Sequence, residues 1–277
     1  AFTRGFELVV HDIEQVKMLE SVGQCRGTVW LKFDTGMNRL GFPLDKAQEL
    51  LRRLEAAGAV RELRLMTHFA SADELDNAVT ETQLAAFALV TRGFPGAVSI
   101  ANSPASLGWP QVIDARAELG FEGDFWIRPG ISLFGISPFA DKSGRELGLK
   151  PVMQFEARLI AVKPLRAGAR VGYKGAYVCE QDTTLGIVAA GYGDGYTRHF
   201  RSGTPVLLNG RRVTLIGNIS MDMCAVDLGP GAADRVGDIA TLWGDSLPVE
   251  EVAPWADAIP YELVCGVMNR EDSEIVP

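Results

Sequence analysis

The chain has 277 residues, 47% of them hydrophobic and 22% charged, with a formal net charge of −8. This composition is typical of a soluble globular protein with one large or two ordinary domains. The negative charge argues against a nucleic-acid partner held through phosphate contacts. The sequence has no apolar run of about 18 residues, so no membrane span is expected.

The cysteines are widely spaced and have no metal-ligand pattern, so no metal site is expected. They are Cys25, Cys179, Cys224 and Cys265. This spacing favours buried free thiols in a reducing compartment, here the cytoplasm, over disulfides or zinc ligands.

The first part of the chain alternates strand and helix patterns. A short strand at 6–10 precedes Asp12, which with Gln15 has the spacing of a capping box at a helix start. An apolar strand at 28–33 then runs into a polar loop that contains Lys32 and Arg39. A lysine within an apolar run is costly unless it is paired, so this loop is a candidate functional site.

The later strands also end in polar residues. The third ends at His68, the fourth leads to Asn102 and Ser103, and the fifth ends at Arg128. Because the carboxyl ends of parallel strands gather at one face, these side chains are expected to converge. Between the third and fourth strands a helix is predicted to end at Thr91, with four inward residues: Val79, Ala86, Phe87 and Val90.

The fold class is therefore predicted as α/β followed by β. Five strands are too few for a closed eight-stranded barrel. An open doubly wound sheet could use five, but no glycine-rich dinucleotide motif follows the first strand. The other alternative is five βα units of a TIM-type barrel whose first units are missing. The boundary is placed at 140, with a partial barrel over 1–140 and a mostly β domain over 141–277 that contains an Asn209-Gly210 hairpin.

Two glycine-rich segments of the β domain contain four of the five tyrosines, and they surround Tyr173 and Tyr192. Taken on spacing alone, such segments are most often turns with exposed aromatic residues. A tyrosine phenol can act as a general acid or base only when a neighbouring positive charge lowers its pKa.

Seven segments together match one family, in order along the chain. They are KFDTGMNRLGF (32–42), MTHFASAD (66–73), ANSPAS (101–106), IRPGISLFG (127–135), VGYKGAY (171–177), AAGYGDGYTR (189–198) and GNISMDM (217–223). The sequence resembles alanine racemase, a pyridoxal-phosphate enzyme. The resemblance implies a barrel plus a β domain, working as a homodimer whose active sites lie at the subunit interface.

The resemblance also implies a reaction and its residues. Two bases exchange the proton at Cα of alanine: a lysine that forms a Schiff base with the cofactor, and Tyr173 delivered from the partner subunit. Tyr192 corresponds to a second active-site tyrosine. Arg39 and the backbone N–H of Met221 hold the substrate carboxylate, and Lys32 corresponds to a lysine that is often carbamylated.

For the cofactor, the resemblance implies that Arg128 faces the pyridine nitrogen and that His68 hydrogen-bonds to Arg128. Ser103, with the backbone of Gly130 and Ile131, binds the phosphate, and Asn102 is a neighbouring contact. The resemblance also implies that His68 lies against Tyr173.

The chain departs from the family pattern in two places. No segment like the one that carries the family's Schiff-base lysine occurs, so that segment is expected to be missing or supplied by a separate chain. Met268-Asn269 stands where some members have a further phosphate-binding tyrosine. A non-catalytic fragment or binding module is therefore the alternative function. The motifs favour racemisation over the decarboxylation done by related enzymes, and they leave the breadth of amino-acid substrates open.

Overall fold

The computed structural model describes residues 1–23 and 26–267. The chain divides into two compact units, Ala1–Gly130 and a second unit that begins at Ile131. This division comes earlier in the chain than the predicted boundary at 140.

The first unit contains a five-stranded parallel sheet whose strands follow chain order. These strands are β1 (Leu8–Val10), β2 (Gly27–Lys32), β3 (Val60–Met66), β4 (Val98–Ser99) and β5 (Phe125–Trp126). Its helices are α1 (Ile13–Ser21), α2 (Ala47–Ala56), α3 (Val79–Thr91), α4 (Ser103–Gly108), α5 (Pro110–Ile113) and α6 (Arg116–Leu119). The predicted alternation of parallel strands and helices is confirmed.

Helix α1 begins at the predicted capping box. The Asp12 carboxylate accepts from the Glu14 N–H at 2.8 Å, and the Gln15 side chain accepts from the Asp12 N–H at 3.2 Å. These bonds satisfy N–H groups that have no partner inside the helix. The helix is thereby fixed to begin where β1 ends.

The two faces of the sheet have different chemistry. On one face, buried Leu31 and Leu65 belong to the apolar core of the unit. On the other, the Arg64 guanidinium lies 5.2 Å from the Trp30 ring and 5.0 Å from the Trp126 ring. Because side chains alternate along a strand, Lys32 lies on the same face of β2 as Trp30.

Helix α3 buries part of the predicted face, with Phe87 buried and Val90 packed against the core. Val79 is 39% exposed, so its inward assignment was wrong. Phe87 is buried as predicted, together with Leu84 and two polar residues, Thr80 and Gln83. Polar side chains on an inward face weaken the hydrophobic periodicity from which the face was predicted.

The second unit is a closed antiparallel barrel of six strands with a separate two-stranded sheet, β7–β8. The strands are β6 (Phe155–Leu165), β7 (Arg170–Val171), β8 (Tyr177–Val178), β9 (Thr183–Val188), β10 (Pro205–Leu208), β11 (Arg211–Leu215), β12 (Cys224–Asp227) and β13 (Ile239–Trp243). Two short helices follow, α7 (Val249–Val252) and α8 (Pro260–Gly266). The predicted mostly β character is confirmed.

The predicted hairpin joins β10 to β11. Asn209 and Gly210 have φ values of 49° and 75°, the positive values that a two-residue hairpin turn of this type needs at both positions.

The thiols agree with the sequence prediction in part. Cys179 and Cys224 are free and buried, whereas Cys265 is free and exposed, so the prediction of burial was wrong there. Cys25 lies outside the described residues. Within residues 1–23 and 26–267, no helix has the length and hydrophobicity that a membrane crossing requires.

Candidate functional site

Arg128 is the best-fixed charged group at the carboxyl edge of the parallel sheet. Its guanidinium donates to the Thr67 carbonyl at 2.6 Å and to the Ser99 hydroxyl, and it lies 3.3 Å from His68 Nδ1. The loop after β3 and the last residue of β4 thus hold the side chain of Arg128, which itself follows β5. The predicted hydrogen bond between His68 and Arg128 is present.

Burial and neighbouring cations set the ionisation of this pair. Burial, followed by the charges of Arg128, Arg39 and Lys32, lowers the pKa of His68 to about 4. Burial lowers the pKa of Arg128 to about 10. At neutral pH His68 is therefore a neutral imidazole beside a guanidinium that stays charged.

Lys32 is the last residue of β2 and is only 8% exposed. Burial lowers its pKa, and the positive charges of Arg39 and Arg128 lower it further. A lysine that feels the charges of two guanidinium groups is electrostatically unfavourable as an ammonium ion.

Arg39 lies on a loop whose two ends are joined by hydrogen bonds. The Asp34 N–H donates to the Phe42 carbonyl at 2.9 Å, and the Phe42 N–H donates to the Lys32 carbonyl at 2.8 Å. Gly41 has φ 135°, and a Cβ there would lie 2.5 Å from the Asp34 nitrogen, so glycine is required. The closed loop leaves Arg39 exposed to solvent.

A buried polar network, which sequence reasoning missed, connects this loop to the end of β3. The Thr35 and Thr67 hydroxyls are 2.8 Å apart, and the Gln83 amide donates to the Thr35 hydroxyl at 3.1 Å. Thr67 lies within a matched segment, but no sequence signal singled out its hydroxyl. Gln83 gave no signal because it stands alone on a helix.

Asn102 and Ser103 begin α4, but they make different contacts. The Asn102 side chain accepts from the Ala105 N–H at 3.1 Å and so caps the helix. Ser103 is 2% exposed, and its hydroxyl accepts from the Gly130 N–H at 2.8 Å. The structure therefore brings Ser103 and Gly130 together, as predicted, and gives Asn102 a structural contact.

In the second unit, Tyr173 lies on the turn between β7 and β8 and is 66% exposed. The residues beside it, Gly172 and Lys174, have φ values of 76° and 59°. A left-handed backbone at both neighbours holds the turn in a specific shape that projects Tyr173 from it.

Tyr192 and Met221 lie on two loops that are joined through their backbones. The Tyr192 N–H donates to the Ser220 carbonyl at 3.0 Å, and the Gly193 N–H donates to the Met221 carbonyl at 2.8 Å. A Cβ at Gly191 would overlap both carbonyl oxygens, so only glycine allows this approach. The side chains of Tyr192 and Met221 are 39% and 52% exposed.

The remaining predicted positions are Ile131 and Met268-Asn269. Ile131 is 3% exposed and begins a short 3-10 helix, Ile131–Phe134. Met268-Asn269 lies outside the described residues.

The first unit has donors suited to an anionic, ring-containing cofactor. Arg128 is a fixed cation, His68 is neutral, and the Ser103 hydroxyl lies beside the Gly130 N–H. Hydroxyl and backbone N–H donors suit phosphate oxygens, and a guanidinium suits an acceptor ring nitrogen or a carboxylate. These residues therefore fit pyridoxal phosphate.

Comparisons with known proteins identify the family. Residues 1–138 match the family model described as alanine racemase, N-terminal domain, and residues 152–275 match alanine racemase, C-terminal domain. Both domains of the family are therefore represented in the chain, which spans 70–74% of the length of the curated relatives it matches.

Individual relatives agree with this result. The chain is 49% identical over 266 residues to alanine racemase from Shewanella amazonensis, covering 95% of this chain and 70% of that protein. The crystal structure of biosynthetic alanine racemase from Pseudomonas aeruginosa has a TM-score of 0.87 and 40% identity, covering 98% of this chain and 73% of that one.

A third comparison concerns the cofactor. A structure of alanine racemase from Bartonella henselae, described with covalently bound pyridoxal phosphate, has a TM-score of 0.81 and 25% identity, covering 97% of this chain and 73% of that one. With both family models and relatives near 50% identity in agreement, the chain belongs to the pyridoxal-phosphate-dependent alanine racemase family.

Proposed function

We propose that the chain interconverts L- and D-alanine by two-base proton transfer at Cα, with pyridoxal phosphate as cofactor. The observation that carries the proposal is the charge cluster formed by Lys32, Arg39, His68 and Arg128, at or beyond the ends of three strands of the parallel sheet. Family membership supports the same reaction. The alternative of a non-catalytic binding module is not favoured.

The parallel sheet holds the cofactor and substrate. We infer that its strands are successive βα units of the TIM-barrel type, with functional groups at their carboxyl ends. Residues 1–140 supply the cofactor and substrate contacts, and residues 141–277 supply the tyrosine.

Pyridoxal phosphate, when bound, withdraws electrons from the substrate Cα and makes its proton easier to remove. Ser103, with the backbone of Gly130 and Ile131, holds the phosphate, and Asn102 keeps α4 in place beside it. Arg128 faces the pyridine nitrogen and keeps it unprotonated, because its guanidinium is charged at neutral pH.

Arg39 binds the substrate carboxylate, helped by the Met221 N–H. A guanidinium suits this task because it can donate two parallel hydrogen bonds to a carboxylate. The exposure of Arg39 on a closed loop supports the assignment, since the side chain is displayed to solvent by a fixed backbone.

Lys32 supports Arg39 as a carbamate. A lowered pKa increases the fraction of neutral amine, which is the form that adds carbon dioxide, and the resulting anion lies between two cations. The modification converts an unfavourable triple-cation arrangement into a favourable one.

Tyr173 is the base that takes or returns the proton on one side of Cα, and Tyr192 is the second tyrosine of the site. We propose that Tyr173 of one subunit serves the active site of the other in a homodimer. Its 66% exposure on a well-defined turn supports a role outside its own fold unit.

The proposed function is tested with the full-length protein and pyridoxal phosphate. Conversion of each alanine enantiomer is followed by chiral chromatography. The wild type racemises both. Tyr173→Phe is expected to lose conversion of both enantiomers, because racemisation in either direction needs one base to take the Cα proton and the other to return one. Tyr177→Phe, the matched control on the adjoining strand, keeps both activities. Unchanged activity of Tyr173→Phe in both directions would remove Tyr173 from the mechanism.

A further inference from the structure

Gln83 uses its whole amide group inside the first unit. The side chain is 1% exposed on the inward face of α3. Its amide nitrogen donates to the His68 carbonyl at 3.0 Å and to the Thr35 hydroxyl at 3.1 Å, and its oxygen accepts from the Ala70 N–H at 2.9 Å. Because a backbone N–H can only donate and a carbonyl can only accept, these partners fix the orientation of the amide.

The hydroxyl groups beyond Gln83 have a single direction of hydrogen bonding. The Thr67 hydroxyl donates its one proton to the Phe33 carbonyl at 3.0 Å, so the Thr35 hydroxyl must donate to Thr67. Thr35 in turn accepts from Gln83. The protons therefore run in one chain from Gln83 through Thr35 and Thr67 to the backbone of Phe33.

This chain of bonds connects segments that carry the charged residues of the site. Thr35 lies on the loop that displays Arg39, and Gln83 holds the backbone of His68 directly. The Thr67 carbonyl accepts from Arg128 at 2.6 Å. The buried Gln83 amide is thus bonded directly to the Arg39 loop, at Thr35, and to the segment after β3, at His68. Through the Thr35 hydroxyl it also reaches Thr67.

We propose that Gln83 is a positioning residue for racemisation. It fixes the Arg39 loop relative to His68 and Arg128, so that the carboxylate clamp and the cofactor contacts keep one geometry. This inference rests on the proposed function of the site. Gln83 itself contacts neither substrate nor cofactor, and it acts through Thr35 and the His68 backbone.

Two substitutions remove different parts of the interaction. Gln83→Met keeps the length of the side chain and removes all its hydrogen bonds. Gln83→Glu keeps the shape, but an ionised carboxylate has no proton to donate to the His68 carbonyl. Both variants are expected to free the Arg39 loop from its fixed position relative to His68.

Two control substitutions lie on the same helix. The Thr80 hydroxyl is buried and has no hydrogen-bond partner among the described residues, so Thr80→Val removes no link. Leu84 is 3% exposed in the apolar core, and Leu84→Ala destabilises the unit without touching the network.

The first measurement is an NMR titration of the His68 ring without cofactor. Arg128, Arg39 and Lys32 are the charged groups that lower its pKa, together with burial. In Gln83→Met the pKa is expected to rise by about one unit, because the positive charges move away. In Gln83→Glu the new carboxylate is expected to raise it further. The control variants are expected to keep the wild-type value.

The second measurement separates KM from kcat for alanine in the cofactor-loaded enzyme. The Gln83 variants are expected to raise KM about tenfold, the factor for one weakened charge-assisted hydrogen bond, with a smaller change in kcat. The controls are expected to keep the wild-type KM.

The inference is overturned if the Gln83 variants keep the wild-type His68 pKa and KM. It is also overturned if Leu84→Ala shifts both as much as Gln83→Met, since the effect would then follow from lost stability alone. If the wild type does not racemise alanine, the proposed function fails, and the His68 titration still decides whether Gln83 holds the cluster together.

Discussion

At the scale of single residues, the ionisation of His68 is set first by burial and then by the positive charges of its neighbours. The folded protein favours the neutral ring, since the pKa of His68 falls from 6.5 to about 4. The neutral ring can then accept a hydrogen bond from Arg128 through Nδ1, which an imidazolium could not do.

This shift predicts a pH-dependent contribution to stability. The folded pKa lies below the unfolded one, so the unfolded state binds the proton first as the pH falls from 6.5 towards 4. The contribution of His68 to the free energy of unfolding is fully present above pH 6.5 and is lost as the pH falls from 6.5 to about 4. Allowing for partial exposure, it amounts to on the order of 2 kcal/mol.

Urea unfolding of the wild type and of His68→Gln at several pH values measures this contribution. We expect the free energy of unfolding of the wild type to fall more steeply with acidification than that of the variant. Parallel pH profiles for the two proteins would contradict the predicted shift.

Lys32 gives a second prediction at this scale. Incubation with ¹³C-bicarbonate is expected to produce a carbamate carbon signal by NMR, because the neutral amine reacts with carbon dioxide. Lys32→Met is expected to lose the signal and to raise the KM for alanine, since Arg39 loses its anionic neighbour. Lys46→Met, a change at an exposed lysine of the same unit, is expected to keep both. A signal that persists in Lys32→Met would rule out carbamylation at this position.

The charged residues of the site could be predicted from the sequence, and their supports could not. Lys32, His68 and Arg128 stand out because each lies at or just beyond the end of an apolar strand. Ser99 and Gln83 are single polar residues in a short strand and a helix, and nothing local distinguishes a buried polar residue from an exposed one. Their partners come from segments distant in sequence, so only the folded chain reveals them.

At the scale of elements, the close joining of the Tyr192 loop to the Ser220–Met221 loop has a direct mutational test. Gly191→Ala places a Cβ against two carbonyl oxygens, which the backbone must move to relieve. We expect it to destabilise the protein by about 1–3 kcal/mol, as overpacking does, and to lower activity by displacing Tyr192.

The matched control is Gly266→Ala in the same unit, where the nearest atom to a new Cβ is 3.8 Å away. Denaturant unfolding of both variants measures the difference. Equal stability of the two would show that the loops are not held as closely as the structure indicates.

Local signals predicted some elements well and others poorly. The capping box at Asp12 and the hairpin at Asn209-Gly210 are encoded by residues a few positions apart, and both are confirmed. The strand was predicted to end at His68, whereas β3 ends two residues earlier, at Met66. The inward assignment of Val79 on α3 was wrong, and two buried residues of that helix, Thr80 and Gln83, were missed because they are polar.

At the scale of the whole molecule, an α/β unit followed by a β unit could be predicted from the sequence. The closure of the six-stranded antiparallel barrel in the second unit could not. Alternating strand and helix patterns predict a parallel sheet, and runs of short strands predict a β unit. Closure depends on β13 pairing with both β6 and β10, over long separations in sequence. Pairings between strands so far apart in the sequence cannot be predicted from a short segment of it.

The proposed sharing of Tyr173 between subunits predicts a dimer, and sedimentation measures it. A complementation test is sharper. Tyr173→Phe and Arg39→Ala are each expected to be impaired, and their subunits are mixed by reversible dissociation. If Tyr173 serves the partner's site, each mixed dimer has one intact site, and about a quarter of the wild-type racemisation rate returns. A monomer in solution, or no recovery beyond the separate variants, would contradict the shared site.

Exchange of the alanine Cα proton with solvent tests the central claim most directly. Each enantiomer is incubated in D₂O with the full-length protein and pyridoxal phosphate, and deuterium at Cα is followed by NMR. We predict uptake from both enantiomers with the wild type and from only one with Tyr173→Phe. Equal uptake from both enantiomers in Tyr173→Phe, or no uptake with the wild type, would contradict a two-base mechanism in which Tyr173 is one of the bases.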